Sequence, residues 1–272
     1  MITADYHVHS DFSSDGKASM EQMTERAIQL GLKKICFTDH MDYDYPQQMS
    51  GYDFVFDFPE YIKKLSQLKE RYKSKIEILT GVELGLQPHI IDRLISLVNR
   101  YPLDFIIGSS HVVDHIDPYY PEYWVGKSVQ EGIRAYFQSI INNCNTFDGF
   151  HIYGHIDYII RYIPGQKEVK TSYSYEDYAD ILEEVLKTII YHGKGIEVNT
   201  AGFKYGLGHP HPRIEVIKRY KELGGEIITI GSDAHRPEHL CYDFEQIPEL
   251  LKSLGYTYYT TFVQGKPVYE KL

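Results

Sequence analysis

Cysteine is scarce and scattered in this chain. Cys36, Cys144 and Cys241 lie far apart and form no C-x-x-C pair, so they read as reduced thiols filling the core of a cytosolic protein. Long apolar runs are also missing, and none approaches the length of a membrane span. The opening MITADYHVH has neither the basic start nor the apolar stretch of a secretory leader. The expected location is therefore the cytoplasm, with no membrane partner. Positive charge is in short supply: 28 Lys and Arg stand against 38 Asp and Glu, a formal net charge of −10. Nucleic-acid backbones demand concentrated positive charge, so nucleic acid is not an expected partner. No low-complexity segment, short repeat or linker divides the chain, and 272 residues suit a single domain spanning 1–272. The G-x-S-x-G elbow is absent, and the one thiol near a strand end, Cys36, precedes Asp39 by three residues and reads as core. Nothing else supports a serine or cysteine nucleophile.

What is present is an alternation of short β-rich runs with longer helical patterns. The strand candidates are ADYHVH, KKICFTDH, KIEILTGVEL, LDFIIGSSH, HIYGHID, KGIEVNT and EIITIGSDAH. Between them, helical periodicity covers 19–31, 58–72, 88–101, 127–144, 174–193 and 211–225. Ser19 and Ser174 sit at N-cap positions, and Gly31, Gly193 and Gly224 at C-terminal stops. Recurrent strand–helix–strand units predict right-handed βαβ connections and a parallel sheet. Seven such units in this length predict an α/β fold, a closed seven-stranded β/α (TIM-like) barrel. Tyrosine is abundant, 25 residues, and is concentrated in two polar aromatic stretches at 42–61 and 114–124. These read as long ordered loops that either pack the surface or line a pocket.

The polar residues fall at one end of the strands: His7 and His9, Asp39-His40, Glu83, His111, His155 and Asp157, Asn199, then Asp233 and His235. That is the end where β/α barrels assemble active sites. In DYHVHSDFSSDG, strand alternation places Asp5, His7 and His9 on one face and Tyr6 and Val8 on the other, with Asp15 beyond. Six of the thirteen histidines lie at strand ends, each near an acid. Imidazole nitrogen and carboxylate oxygen suit divalent ions, and the set His7, His9, Asp15, His40, Glu83, His111, His155, Asp233 and His235 exceeds what one ion can use. Two to three ions, of zinc, manganese or iron, are expected. Such clusters make a nucleophile from water and clamp a transferring phosphoryl group. His89, His115, His151, His192 and His239 read as cap, surface or packing residues. His209 and His211, in GLGHPHPR, follow the Asn199 strand end and are candidates to reach substrate.

HVHS-x-x-S-x-D, TDH, a lone Glu after the third strand, SSH, GHID and GSDAH, in that order along nearly the whole chain, resemble the polymerase and histidinol phosphatase (PHP) superfamily. DYHVHSDFSSDG with FTDHMDYDYP and NTAGFKYG is similar to its stand-alone histidinol-phosphate phosphatases. The resemblance implies a distorted seven-stranded barrel with a trinuclear metal site. It assigns His7, His9, Glu83 and Asp233 to a first ion, Glu83 as a bridge to a second ion held by His111 and His155, and Asp15, His40 and His235 to a third. That position of Asp15 is often histidine in relatives. Asp39 and Asp157 are expected to orient His40 and His155.

The function so implied is metal-dependent hydrolysis of L-histidinol phosphate, or of another small phosphate monoester. Glu83, Asp233 and His235 are the candidate catalytic residues, and the proton for the leaving alkoxide could come from His235, Asp233 or a water held by the ions. Arg161 and Lys204, both after strand ends, are the candidate phosphate-binding cations, with Arg236 a third. Acids and tyrosines of the two loops could bind the cationic end of the substrate, and Trp124 could stack on its ring. One rival is a PHP-type phosphodiesterase or nuclease, which should carry a basic groove. A metal-stabilised binding module is another and would show gaps in the ligand set. Amidohydrolase chemistry usually leans on a carboxylated lysine, and no strand here ends in lysine.

Overall fold

The computed structural model describes residues 1–165 and 173–272. Strands β1 Ala4–Val8, β2 Lys34–Phe37, β3 His40–Met41, β4 Glu77–Gly85, β5 Phe105–Ser109, β6 Ile152–Tyr153, β7 Gly195–Asn199 and β8 Ile228–Gly231 form one parallel sheet. The hydrogen-bonded order is β1-β2-β4-β5-β6-β7-β8, and β3 continues beside the upper part of β4 with His40 opposite Glu83. Closure comes from a parallel bridge between Val8 and Ala234, where the His9 N–H donates to the Ala234 carbonyl at 2.9 Å. This is the expected barrel of seven strands, distorted where β6 shrinks to two residues and where the expected run 33–40 breaks at Thr38-Asp39. Most strand residues are buried on both faces, which is why these segments read as near-continuous apolar runs.

The helices are α1 Met20–Gln29, α2 Gln47–Ser50, α3 Phe58–Tyr72, α4 Ile91–Arg100, α5 Val129–Thr146, α6 Ala179–Tyr191, α7 Ala201–Lys204, α8 Ile214–Glu222 and α9 Ile247–Ser253. Ser19 caps α1 in a reciprocal capping box with Gln22, and Ser128 does the same for α5 with Glu131. Ser174 Oγ accepts from the Asp177 N–H at 3.3 Å, but the turn it caps is a 3-10 turn that precedes α6. The predicted start of α8 at 211 is overturned because His211 is held in a bridge to Asn199, so the helix begins only at Ile214. Among the described residues, no helix is long and apolar enough to cross a membrane.

Alternation along β1 does not run as expected. Asp5 pairs with Ile35 but Val8 pairs with Phe37, so β1 holds one extra residue there. The bulge lets Tyr6 join a cluster with Ala4, Cys36, Leu79, Phe105, Ile107 and Ile152, while His7 and His9 both reach Glu83. Asp5 faces elsewhere, accepting from the Ser232 N–H and Oγ and from the Cys241 N–H.

Beneath that cluster lies an element the sequence reading passed over. Strands β9 Tyr258–Val263 and β10 Lys266–Lys271 form an antiparallel hairpin across Gln264-Gly265, both at positive φ. Phe262 enters the barrel from below, and its carbonyl accepts from the Tyr6 hydroxyl at 2.8 Å. Phe262→Ala should cost about 3–5 kcal/mol, read as a shift of the urea midpoint. A cost below about 1 kcal/mol would mean that the hairpin does not plug the core.

Candidate active site

Glu83, at the upper end of β4 and fully buried, stands at the centre of the strand ends. Its Oε2 lies 3.1 Å from His7 Nε2, 3.5 Å from His9 Nε2 and 3.0 Å from His40 Nδ1. Its Oε1 lies 2.9 Å from His155 Nε2 and 3.1 Å from His111 Nε2, and accepts from Ser109 Oγ at 2.7 Å. Asp233, in the left-handed region at φ 53°, brings Oδ1 to 3.4 Å from His9 Nε2 and 3.6 Å from His235 Nδ1. Asp15 Oδ2 closes the outer side, 3.0 Å from His235 Nε2 and 3.9 Å from His40 Nε2. All nine residues singled out in the sequence therefore meet in one place. His9, His40 and His235 can converge on one ion, as can His7, His9 and Asp233, His7, Glu83 and His155, or His40, Glu83 and His111.

The outward nitrogens of several imidazoles are tied down. His7 Nδ1 donates to Glu197 Oε1 at 2.7 Å, and His111 Nδ1 to Asp42 Oδ2 at 2.7 Å. His9 Nδ1 meets Ser13 Oγ at 3.2 Å, and His235 Nδ1 donates to the Asp233 carbonyl at 3.1 Å. These bonds leave Nε2 of His7, His9 and His111 turned to the centre, as metal-ligating histidines require. There His7 Nε2, His9 Nε2, His40 Nδ1, Glu83 Oε2 and Asp15 Oδ1 are buried without a hydrogen-bond partner among the described residues. Buried polar atoms are seldom left so. A set of orphaned nitrogen and carboxylate donors converging this closely fits divalent ions.

The electrostatics agree. Burial alone would raise the Glu83 carboxyl, yet His7, His111 and His40 outweigh it and hold it well below the carboxylate range. Asp233 is held down in the same way by His7, His9 and His235 against its burial. Burial lowers His7, but Glu197, Glu83 and Asp233 prevail and hold it well above the imidazole range. For His111, Asp42 and Glu83 overcome burial, and for His40, Glu83 and Asp15 do so and bring it to about 9. His9 goes the other way: burial and the neighbouring His235 and His40 push it well down.

Several orienting residues differ from expectation. Asp39 does not orient the His40 ring; it accepts from the N–H and Oγ of both Ser10 and Ser13, and Ser13 in turn meets His9. Asp157 does not orient His155 either; it bonds His211 Nδ1 and the Arg213 N–H. Glu197 and Asp42, which the sequence reading did not single out, do that work for His7 and His111. The available signal for Glu197 was an acid inside an otherwise apolar strand run, IEV. Gly231 matters here because a Cβ on it would lie 2.4 Å from both His7 Cβ and Glu197 Oε1.

A cavity of about 480 Å³ opens above the cluster. Its walls carry Tyr45, Tyr119, Tyr120, Tyr158, Tyr162 and Tyr205, together with Asp42, Asp117 and Arg161. Arg161 Nη2 lies 3.6 Å from Asp233 Oδ2, and its guanidinium packs on the Tyr205 ring at 4.2 Å. Lys204 does not line the cavity; its Nζ donates to the Asp233 carbonyl at 3.1 Å. Trp124 is also elsewhere, buried against Gly132 with Nε1 donating to the Pro118 carbonyl, so it cannot stack on a ligand in the cavity. Of the remaining candidates, His211 is buried beside Arg161, while His209 Nδ1 donates to the Pro210 carbonyl.

A parallel barrel that gathers imidazoles and carboxylates at the carboxyl ends of its strands has the build of a metal centre. The family model described as PHP domain matches residues 5–201, and the chain belongs to this family. A histidinol-phosphatase of Lactococcus lactis subsp. lactis is 30% identical over 269 residues, covering 96% of this chain and 95% of that protein. A probable histidinol-phosphatase of Clostridium acetobutylicum is 32% identical over 246 residues, covering 89% of each. The crystal structure of histidinol phosphate phosphatase from Lactococcus lactis, in complex with zinc, L-histidinol and phosphate, superposes with a TM-score of 0.88 at 30% identity over 98% of both chains.

Proposed function

We propose that this chain is a metal-dependent phosphatase that hydrolyses L-histidinol phosphate to L-histidinol and phosphate. One observation carries the reading: the cavity is polar in two opposite senses. Its floor, the metal-capable cluster with Arg161 beside it, suits a phosphoryl group. Its wall holds Asp117, whose carboxylate takes only neutral donors among the described residues, the Tyr45 hydroxyl at 2.7 Å and the Tyr119 N–H at 2.8 Å. Such an acid suits the ammonium of an amino alcohol, and the tyrosines beside it offer faces to its imidazole ring. The 30% identity to the Lactococcus lactis enzyme along nearly the full length supports the same substrate.

His7, His9, Glu83 and Asp233 would hold a first ion, Glu83, His111 and His155 a second, and Asp15, His40 and His235 a third. The donor set suits zinc, with manganese and iron as alternatives. Such ions would supply an activated water at neutral pH and counter-charge for the phosphoryl oxygens. Arg161 would grip the remaining oxygens through its free guanidinium edge, and Tyr45 with Asp117 would fix the far end of the substrate.

The protein as purified without chelator should carry two to three equivalents of divalent metal, and chelation should abolish phosphate release. Their acidic neighbours raise His7, His40 and His111 above the ordinary imidazole range, so metal binding must compete with protons there. Zinc affinity should therefore climb as pH rises from about 6 towards 9, by roughly tenfold per unit for each proton displaced. Chelator competition at several pH values reads this directly. An affinity independent of pH would remove these imidazoles from the ligand set.

A further inference from the structure

Arg161 is held from behind by a chain of buried groups that runs through His211 to Asp157. Its Nε donates to His211 Nε2 at 2.8 Å. His211 Nδ1 donates to Asp157 Oδ1, and Asp157 Oδ2 accepts from the Arg213 N–H at 2.9 Å. His211 and Asp157 are fully buried, and only 7% of the Arg161 side chain is exposed. The His211 backbone is itself pinned to the end of β7, exchanging hydrogen bonds of 2.7 and 2.8 Å with Asn199. Arg161 Nη2, in contrast, is buried with no hydrogen-bond partner among the described residues and lies on the side of Asp233.

We infer that His211 and Asp157 act as a positioning pair that aims the Arg161 guanidinium at the phosphoryl group, an inference that rests on the phosphatase reading above. The direction of each bond matters. The guanidinium can only donate, so His211 must present a bare Nε2 and keep its proton on Nδ1. A carboxylate facing Nδ1 imposes that tautomer, and the Arg213 N–H holds the carboxylate in turn. With Nε satisfied behind it, the guanidinium is kept from rotating fully onto Asp233, its nearest carboxylate, and its outer edge stays free for a ligand. The same logic explains why an arginine and not a lysine stands here, since a lysine has no second edge to anchor.

The test uses the metal-loaded protein and inorganic phosphate as probe, with affinity measured by titration calorimetry and by inhibition of monoester hydrolysis. Arg161→Met and His211→Leu should each weaken phosphate at least about tenfold, with bound metal unchanged. His211→Gln can still offer an acceptor to Nε and should retain most of the affinity. Asp157→Asn should behave like His211→Leu, because the two donors face different oxygens and an amide turns an NH₂ to one of them. In the Arg161→Met background, His211→Leu should add less than about twofold. Wild-type phosphate affinity in His211→Leu, or additive losses in the double variant, would overturn the proposal. Should His211→Leu fail to fold, the contrast between His211→Gln and Asp157→Asn decides, and equal phosphate affinity in the two overturns it. Wild-type phosphate affinity in Arg161→Met would overturn both this proposal and the assignment of Arg161 to phosphate. If phosphate binding responds as expected but histidinol phosphate is not hydrolysed, the substrate reading fails and the positioning pair stands.

Discussion

Glu83→Gln should lower kcat/KM for phosphate release by at least about 10³-fold and should cost the protein part of its bound metal. The substitution is nearly isosteric, so packing is preserved. What changes is charge and ligating power at the one carboxylate that faces five imidazoles, three from Oε2 and two from Oε1. A neutral amide would present an NH₂ to one of those sets, and a donor cannot ligate an ion or accept from an imidazolium. The metal-free protein should also melt lower, because His7, His40 and His111, all raised by acidic neighbours, would lose the carboxylate they share. Retention of more than about a tenth of the activity with full metal content would displace Glu83 from the centre of the site.

Asp117→Asn should act on selectivity more than on chemistry. Burial pushes the Asp117 carboxyl up, yet its two oxygens accept from the Tyr119 N–H and the Tyr45 hydroxyl, and among the described residues no cation pairs with it. The substrate ammonium would supply the missing charge. Its loss should reduce kcat/KM for L-histidinol phosphate by about 10²-fold, in the range of removing one partner of a desolvated charge pair. Hydrolysis of a monoester without an amine should change by no more than about twofold. Equal losses on both substrates would mean that Asp117 supports the loop and does not read the substrate.

The metal-capable residues were legible because ligand chemistry restricts them to a few residue types, and barrel topology restricts them to strand ends. His7, His9, Glu83 and Asp233 were legible as members of a set of motifs at several strand ends, not singly. Their partners were not legible. Glu197 bonds His7 from 190 residues away, so the pairing exists only once β1 and β7 have been placed by the barrel. Asp39 and Asp157 lie next to histidines in sequence, but strand-end geometry turns them to Ser10 and Ser13 in one case and to His211 in the other. The β1 bulge is another failure of local reading: a single extra residue moved Tyr6 to the inner cluster and separated Asp5 from the histidines. Trp124 was assigned to the pocket because it lies in a polar aromatic loop, and burial against Gly132 claimed it instead. The closing hairpin at 258–271 was missed because its Gln-Gly turn lacks the Asn-Gly or Asp-Gly signature and its strands show no apolar–polar alternation.

The most direct measurement is kcat/KM of the metal-loaded protein for L-histidinol phosphate beside a panel of other phosphate monoesters and one diester. The account predicts a preference for histidinol phosphate of at least about 10²-fold over a monoester lacking the amine, matching what Asp117 is assigned to supply. Activity confined to the diester, or equal rates on every monoester, would contradict it.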